Sequence, residues 1–175
     1  AESARVLAVD ATKVIIKPNV YSWRRIIVGN MFNTTRNIES TAMYGLTSSE
    51  VDTHMMKNME WGAVAYLSHS LYGRYTNSTT CISSGCEIWT NPNNTYLTGY
   101  SGTAVSASNT TGVAWNNSTY GGNSSTTGNL YGVYDMSGGA WEYVMGNVAM
   151  ASTYSWTAGN SGLSTAPESK YFDAY

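Results

Sequence analysis

The sequence predicts a single α+β domain that is rich in loops and contains short strands with one or two helices. Short β-prone runs lie near the start of the chain and around residues 130–145, and a helical pattern covers residues 58–72. Between the helix and the later run, residues 75–134 contain many Asn, Ser, Thr, Gly and Tyr residues, a composition typical of loops. A chain of 175 residues is long enough to bury one core, so we expect one domain over 1–175.

Charge and hydrophobicity exclude several classes of partner. Charged residues make up 11% of the chain and the formal net charge is −2, so neither nucleic acid nor an anionic membrane surface is expected to bind. No apolar run approaches the roughly 18 residues of a transmembrane helix, so we expect no membrane insertion. The N-terminus lacks the pattern of a signal peptide. Because abundant uncharged polar and aromatic residues are typical of extracellular proteins, we expect a secreted or cell-surface protein in its mature form.

The N-terminal segment begins with β-prone residues. Two runs within Arg5–Ile16 predict a hairpin or one bulged strand, which Pro18 ends. Residues 21–32 have mixed periodicity and predict either a short helix or an extended segment. We interpret the adjacent Arg24 and Arg25 in this segment as part of a solvated face rather than as a binding site.

The clearest helix is predicted over Asn58–Tyr72. Asn58 is a good N-cap, Glu60 in the first turn suits the helix dipole, and Gly73 supplies a C-terminal stop. One stripe at helical spacing is predicted to face the core. It consists of Trp61, Val64, Ala65 and Leu71, with Leu67 close by.

Imidazole and thioether side chains, which favour copper as ligands, are grouped just before and at the start of this helix. They belong to His54, Met55, Met56 and Met59. Methionine also fills irregular gaps in apolar cores, and we prefer that interpretation to a metal site. His69 has the spacing of neither a zinc pair nor a catalytic triad, and we interpret it as a surface or core histidine.

The polar region at residues 75–134 is expected to be ordered, because its recurring aromatic side chains give the loops an apolar surface to bury. Short strands are predicted near Glu87–Thr90 and Thr95–Thr98. In an extracellular chain with two cysteines, Cys81 and Cys86 predict a local disulfide. Asn-x-Ser/Thr sequons, which reflect either glycosylation or composition alone, begin at Asn33, Asn77, Asn93, Asn109, Asn116, Asn117 and Asn123.

The stretch Gly128–Asn147 joins two apolar runs through a turn. Leu130–Tyr134 predicts a short strand or an irregular core segment, in which Gly132 marks a close backbone approach. Asp135–Gly139 has the chemistry of a turn, since Asp and Ser bond nearby amides and glycine accepts positive φ.

Residues 140–145 alternate in character and predict a strand with Trp141, Tyr143 and Met145 on one face. Glu142 lies on the other face between two apolar neighbours. A carboxylate in that position must reach water or accept hydrogen bonds, because an unpaired buried charge is costly. We interpret Glu142 as a structural acceptor that holds a loop rather than as a catalytic group.

Residues 132–143, Gly-Val-Tyr-Asp-Met-Ser-Gly-Gly-Ala-Trp-Glu-Tyr, resemble the Gly-Leu-x-Asp-Met-x-Gly-Asn-x-Trp-Glu-Trp signature of the sulfatase-modifying (formylglycine-generating) enzyme family. Residues 55–68 are also similar to that family's first helix, and the two landmarks together cover under a third of the chain. The resemblance implies a C-type-lectin-like fold, which variable proteins of diversity-generating retroelements and surface proteins of bacteria and phages also use. The residues that carry the motif are Asp135, Gly138, Gly139, Trp141 and Glu142.

The chain departs from this family after the motif. The family's reactive cysteine pair follows the signature, whereas no cysteine here follows Cys86, and an Arg-Gly-Gly segment of related lectin-like proteins is also missing. The resemblance therefore implies a fold that is either partial or completed by another chain, although Ser169–Tyr175 is aromatic and predicted to pack. Gly139 replaces an Asn near the family's calcium site. Calcium accepts oxygen ligands such as Asp135 and turn carbonyls, but we predict no cofactor.

These observations favour a non-enzymatic extracellular module that presents Tyr, Trp, Asn and Ser on loops to a protein or glycan ligand. A structural subunit of a bacterial surface appendage or filament is the second hypothesis, in which aromatic surface is buried between copies. The third is a degenerate or partial formylglycine-generating-type enzyme, which requires a catalytic group that the sequence does not provide. The residues predicted to contact the ligand are Trp89, Tyr96, Tyr100, Trp115 and Tyr120. The alternative for most of them is that they pack within the loops.

Overall fold

The computed structural model describes residues 16–24, 26–75, 85–103, 111–148, 156, 161–163 and 165–175. Over these ranges the chain is a small mixed α+β protein with two α-helices and short strands, which confirms the predicted class at that level. The strands predicted within Arg5–Ile16 fall almost wholly outside the described residues. The helices are α1 (Val28–Asn37) and α2 (Asn58–Tyr66), and the strands are β1 (Tyr100–Gly102), β2 (Gly112–Ala114), β3 (Gly146–Asn147) and β4 (Asp173–Ala174).

Contacts between residues divide the chain into two compact units. Unit 1 contains Trp23–Glu60 and Glu142–Tyr175, whereas unit 2 contains Ile16–Ser22 and Trp61–Trp141. The boundary falls within α2, so this helix begins in unit 1 and ends in unit 2.

The core of unit 1 is apolar. Burial of these side chains removes apolar surface from water, which is the main stabilising contribution to such a core. Met55 is one of its members, as expected if methionine fills gaps in a core, but that interpretation is wrong for Met59, which is 67% exposed, and Met56 is exposed as well. The buried residues are Met55, Met145 and Leu163, and packed against them are Val28, Met31, Phe32, Trp156 and Phe172.

Helix α1 begins at Val28, after an N-cap residue, Ile27, with extended backbone and no side-chain cap. The next residue, Gly29, allows a close approach, because a Cβ there would lie 2.6 Å from the carbonyl oxygen of Gly162. The predicted segment 21–32 is thus extended at its start and helical at its end. The two predicted alternatives, a short helix and an extended segment, are therefore each correct for one part of residues 21–32.

The C-terminal segment packs into unit 1, as predicted for Ser169–Tyr175. Tyr171 is buried, and Phe172 lies against the apolar core. Strand β4 pairs in parallel with β3, with Gly146 opposite Asp173. The segment is therefore integrated by both side-chain packing and backbone hydrogen bonds.

The first turn of α2 is capped differently from the prediction. The helix begins at Asn58, but the Asn58 amide donates to the Tyr175 hydroxyl (2.7 Å) instead of capping the helix. Asp173 Oδ2 accepts from the Met59 N–H (2.6 Å), and Glu60 Oε2 accepts from the Lys57 N–H (2.9 Å). Two carboxylates therefore satisfy backbone donors at the positive end of the helix dipole.

The predicted end of this helix at Tyr72 is wrong, because α2 ends at Tyr66 and a 3-10 turn over Leu67–His69 follows. Ser70 Oγ donates to the Leu67 carbonyl, an interaction that competes with helical hydrogen bonds. The chain then reverses so tightly that a Cβ at Gly73 would lie 2.2 Å from the Leu67 carbonyl oxygen. As a result Leu71, predicted to face the core, is 80% exposed, and Leu67 is exposed as well.

Unit 2 has a largely polar interior. Strands β1 and β2 are antiparallel, with Ser101 opposite Val113, and the 3-10 turn Gly121–Ser124 packs beside β1. Ordered polar interiors require that most buried polar groups be hydrogen-bonded. The buried polar side chains of this unit are Ser68, Asn91, Ser101, Ser124, Ser125 and Thr126.

The strands predicted over Glu87–Thr90 and Thr95–Thr98 are wrong. Isolated bridges form beside or within these ranges, between Asn91 and Gly138 and between Leu97 and Tyr21, and strand β1 begins only at Tyr100. The backbone between these bridges is bonded instead to Asn side chains, which compete with regular strand pairing.

The motif Gly128–Asn147 contains the predicted turn but not the predicted strands. Leu130–Tyr134 takes the irregular alternative rather than the strand, but it is not a core segment, since Leu130, Tyr131 and Val133 are exposed. A Cβ at Gly132 would lie 2.0 Å from Ser125 Oγ, which confirms the close approach. The alternating strand over 140–145 is also wrong, since Trp141 is 92% exposed while Met145 is buried.

Candidate binding surface around Tyr96

Asn91 is the polar centre of unit 2. Its side chain is 2% exposed, and Nδ2 donates to the Leu97 carbonyl (2.9 Å) and to Asp135 Oδ1 (2.8 Å). Oδ1 accepts from the Asn93 N–H at 2.9 Å. Its backbone N–H donates to Ser137 and its carbonyl accepts from Gly139. Every polar group of this residue is thus bonded: some of these bonds stay within the segment 91–97, and the others join that segment to the turn 135–139.

Asp135 completes this network from the opposite side. Its backbone has a positive φ of 60°, and its carboxylate accepts from the Gly99 N–H (2.9 Å) as well as from Asn91. Burial raises the pKa of the Asp135 carboxyl above its usual value, while the hydrogen bonds from Asn91 and Gly99 oppose that shift. The carboxylate therefore serves as a fixed acceptor for two loops.

The two glycines of the turn make room for Asn91. Gly138 has φ +81°, and a Cβ there would lie 2.4 Å from the Asn91 carbonyl oxygen. Gly139 has φ +74°, and a Cβ there would lie 3.1 Å from Asn91 Nδ2. Three of the five motif residues, Asp135 and the two glycines, thus meet around Asn91. The other two, Trp141 and Glu142, are exposed.

The loop that Asn91 anchors carries Tyr96 in a rare backbone conformation. Tyr96 has a φ of 64°, which is uncommon for a bulky residue, and its side chain is 37% exposed. Asn93 holds this turn: its carbonyl accepts from the Tyr96 N–H (3.0 Å), and its Oδ1 accepts from the N–H groups of Thr95 (3.0 Å) and Leu97 (3.2 Å). Such enforced conformations cluster at functional sites.

A neighbouring segment, residues 19–22, is bonded along this loop. The N–H of Ser22 donates to the Tyr96 carbonyl (2.8 Å), and the N–H of Asn19 donates to the Thr98 carbonyl (2.9 Å). Tyr21 in this segment is about half exposed. Tyr100 OH reaches Asn19 Oδ1 at 3.5 Å. We call Asn19, Tyr21, Tyr96 and Tyr100 the Tyr96 surface.

The other predicted contact residues lie within the loop packing. Trp89 and Tyr120 are half-buried and stack on each other, with ring centroids 6.1 Å apart. Trp115 is half-buried, and its carbonyl oxygen approaches Gly121 so closely that a Cβ there would lie 2.1 Å away. Of the five predicted contact residues, Tyr96 and Tyr100 belong to the Tyr96 surface, while the other three pack within the loops of unit 2.

Sequence reasoning missed Asn91 and Tyr21. The cluster Asn91-Pro92-Asn93-Asn94 could have predicted a turn from the sequence, because Asn side chains form hydrogen bonds with nearby backbone amides. Tyr21 gave no such signal, since its position beside Leu97 depends on pairing between segments far apart in the chain.

The remaining predicted sites stand as follows. Cys86 is buried, but Cys81 lies outside the described residues, so the disulfide stays a prediction. His69 Nε2 lies 3.3 Å from Glu87 Oε1. His54 contacts Glu60 through Nε2 at 3.2 Å. Within the described ranges, no three His, Cys, Asp or Glu side chains group closely enough to hold a metal ion.

Comparison of the chain with family models, with curated proteins and with solved structures finds no match. The resemblance to the formylglycine-generating enzyme family therefore rests only on the two sequence landmarks, residues 55–68 and 132–143. Among the helices that the structure describes, none combines the length and the apolar character needed to cross a membrane.

Proposed function

We propose that this protein is a non-enzymatic, secreted or cell-surface binding module with a C-type-lectin-like fold, which presents the Tyr96 surface to a protein or glycan ligand. The observation that carries this proposal is the enforced conformation of Tyr96 on a hydrogen-bonded loop. A half-exposed aromatic residue with a positive φ costs free energy, and its retention is explained if the side chain serves recognition.

The chemistry of the surface also supports recognition. Tyrosine offers a large amphipathic contact with few rotatable bonds, and asparagine offers adaptable hydrogen bonds, which is the combination used by antibody paratopes. The network of Asn91 and Asp135 orders the loop before a ligand arrives, and this reduces the entropy lost on binding. Side-chain and backbone groups of the loop also bond to one another, as in the hydrogen bonds of Asn91 with Leu97 and Asn93.

The test is an array that carries glycans and bacterial surface proteins, probed with the wild type and two variants. Tyr96→Asn removes the ring but tolerates positive φ, so the loop is retained. Trp141→Ala removes an aromatic residue that is more exposed than Tyr96, at 92% against 37%, and that lies outside the Tyr96 surface. We expect saturable wild-type binding that Tyr96→Asn weakens at least about tenfold and Trp141→Ala leaves unchanged. Binding that is indifferent to Tyr96→Asn would refute this assignment of the surface.

A subunit of a surface appendage or filament is the second candidate function. The observation that favours it is the exposure of large apolar side chains, with Tyr72 at 91% and Tyr131 at 92%. Such side chains are normally covered in an assembly. Negative-stain microscopy of the purified protein separates ordered polymers from discrete particles.

A further inference from the structure

Unit 2 carries a second surface that the Tyr96 surface does not include. Large apolar side chains stand exposed in two segments, the one that follows α2 and the turn after Gly128. Their exposed fractions run from 45% to 92%. We call this set the apolar strip, and it consists of Tyr66, Leu67, Leu71, Tyr72, Leu130, Tyr131 and Val133.

Arg74 joins the two segments of the apolar strip. Its Nη1 donates to the Asn123 carbonyl at 2.9 Å, and its Cγ lies 3.3 Å from the position of a Cβ on Gly128. Gly128 has a φ of 71°, so this close approach and the turn both favour glycine. Tyr72 lies two residues before Arg74 and Leu130 lies two residues after Gly128. Arg74 therefore brings the two segments that carry the strip close together in unit 2.

The seven side chains of the apolar strip carry no formal charge, although the guanidinium of Arg74 lies between its two segments and is bonded to the Asn123 carbonyl. Residues 61–73 contain no Lys, Arg, Asp or Glu, and neither do residues 126–134. The one histidine of the first segment, His69, stacks on Tyr66 and faces Glu87. In a two-fold contact between identical copies the same patch meets itself, so a cluster of charges of one sign on such a surface would be repelled by its own copy. An uncharged strip avoids that repulsion.

The strip is also large enough for such a contact. Each exposed Tyr offers roughly 150–250 Å² of burial, so three tyrosines with three leucine-sized side chains and a valine approach the roughly 800 Å² per partner of a stable interface. Interfaces between identical copies are also the more apolar class. We propose that a second copy of this chain covers the apolar strip, so that the protein self-associates through unit 2.

The test is sedimentation velocity of the full chain over about 1–100 μM, a range that covers micromolar dissociation constants. The strip variants are Tyr72→Asp and Tyr131→Asp, one in each segment. The matched control is Trp141→Asp, because Trp141 is 92% exposed and lies outside the strip. Circular dichroism of each variant verifies folding, which substitutions at such exposed positions should not disturb.

We expect the wild type to form dimers or larger assemblies, and each strip variant to weaken association about 10–30-fold while the control does not. Polymers that obey the same pattern would support the same interface with open symmetry. A wild type that stays monomeric at the highest concentration would overturn the proposal, as would assemblies that Trp141→Asp disrupts and the strip variants do not. Ligand binding at the Tyr96 surface is read out separately, so either proposal can fail alone.

Discussion

Replacement of Asn91 by alanine should destabilise unit 2 more than any ordinary loop substitution. The change removes three side-chain hydrogen bonds, those with the Leu97 carbonyl, the Asn93 N–H and Asp135 Oδ1. A neutral hydrogen bond contributes about 0.5–1.5 kcal/mol and one to a charged group about 1.5–3 kcal/mol. The lost partners stay buried, so we expect the free energy of unfolding to fall by about 3–5 kcal/mol.

Urea unfolding followed by tryptophan fluorescence measures this loss, with the transition midpoint and slope recorded for each variant. Asn94→Ala is the matched control, because Asn94 is exposed in the same loop and should change stability by less than about 0.5 kcal/mol. A cost for Asn91→Ala below about 1 kcal/mol would refute the view that this side chain orders the loop.

A double-mutant cycle with Asp135→Asn isolates the bond between the two side chains. We expect the double variant to lose less stability than the sum of the single losses, by about 1–2 kcal/mol. Burial raises the pKa of Asp135, so its contribution to stability is greatest below the unfolded value near 3.8 and falls as the pH rises through the folded pKa. The stability of Asp135→Asn relative to wild type should therefore increase with pH over that range.

Three further substitutions test other contacts. Tyr96→Gly should be more stable than Tyr96→Ala by about 0.5–1 kcal/mol in thermal melts, because positive φ strains alanine; equal stability would contradict an enforced loop. Asp173→Ala leaves the Met59 N–H without its acceptor and should lower the free energy of unfolding, measured in urea, by about 1 kcal/mol. Asp173→Asn should recover most of that loss. The hydrogen bond from Tyr171, with help from Lys170, lowers the pKa of Asp52 to about 2. The wild type should therefore lose stability as the pH falls from about 4 towards 2. In thermal melts recorded over this pH range, the melting temperature of Asp52→Asn should change less than that of the wild type.

The sequence by itself determined the features that depend on local chemistry. The turn at Asp135–Gly139 was predictable because its glycines accept positive φ. The start of α2 near Asn58 was predictable from helical spacing and from Glu60 in the first turn. Packing of Ser169–Tyr175 was predictable from its aromatic side chains, because leaving their apolar surface exposed to water is unfavourable.

Only the tertiary structure decided which apolar residues are buried and where α2 ends. Leu71 fits a helical stripe, yet the chain reverses before it because the backbone at Gly73 packs against the Leu67 carbonyl. Trp141 fits a strand face, yet it is exposed while Met145, four residues later, is buried in the core of unit 1. Spacing specifies a face but not the element that will cover it.

Only part of the candidate binding surface could be predicted from the sequence. Tyr96 and Tyr100 were identifiable as aromatic residues in a polar loop region. Their support was not, because Asn91 acts through Asp135, which is 44 residues away in the sequence. A hydrogen bond between such distant residues has no local signature, since either residue alone has the composition of an ordinary turn. Local propensity thus determined the turns of this protein, and contacts between distant segments decided which surface those turns present.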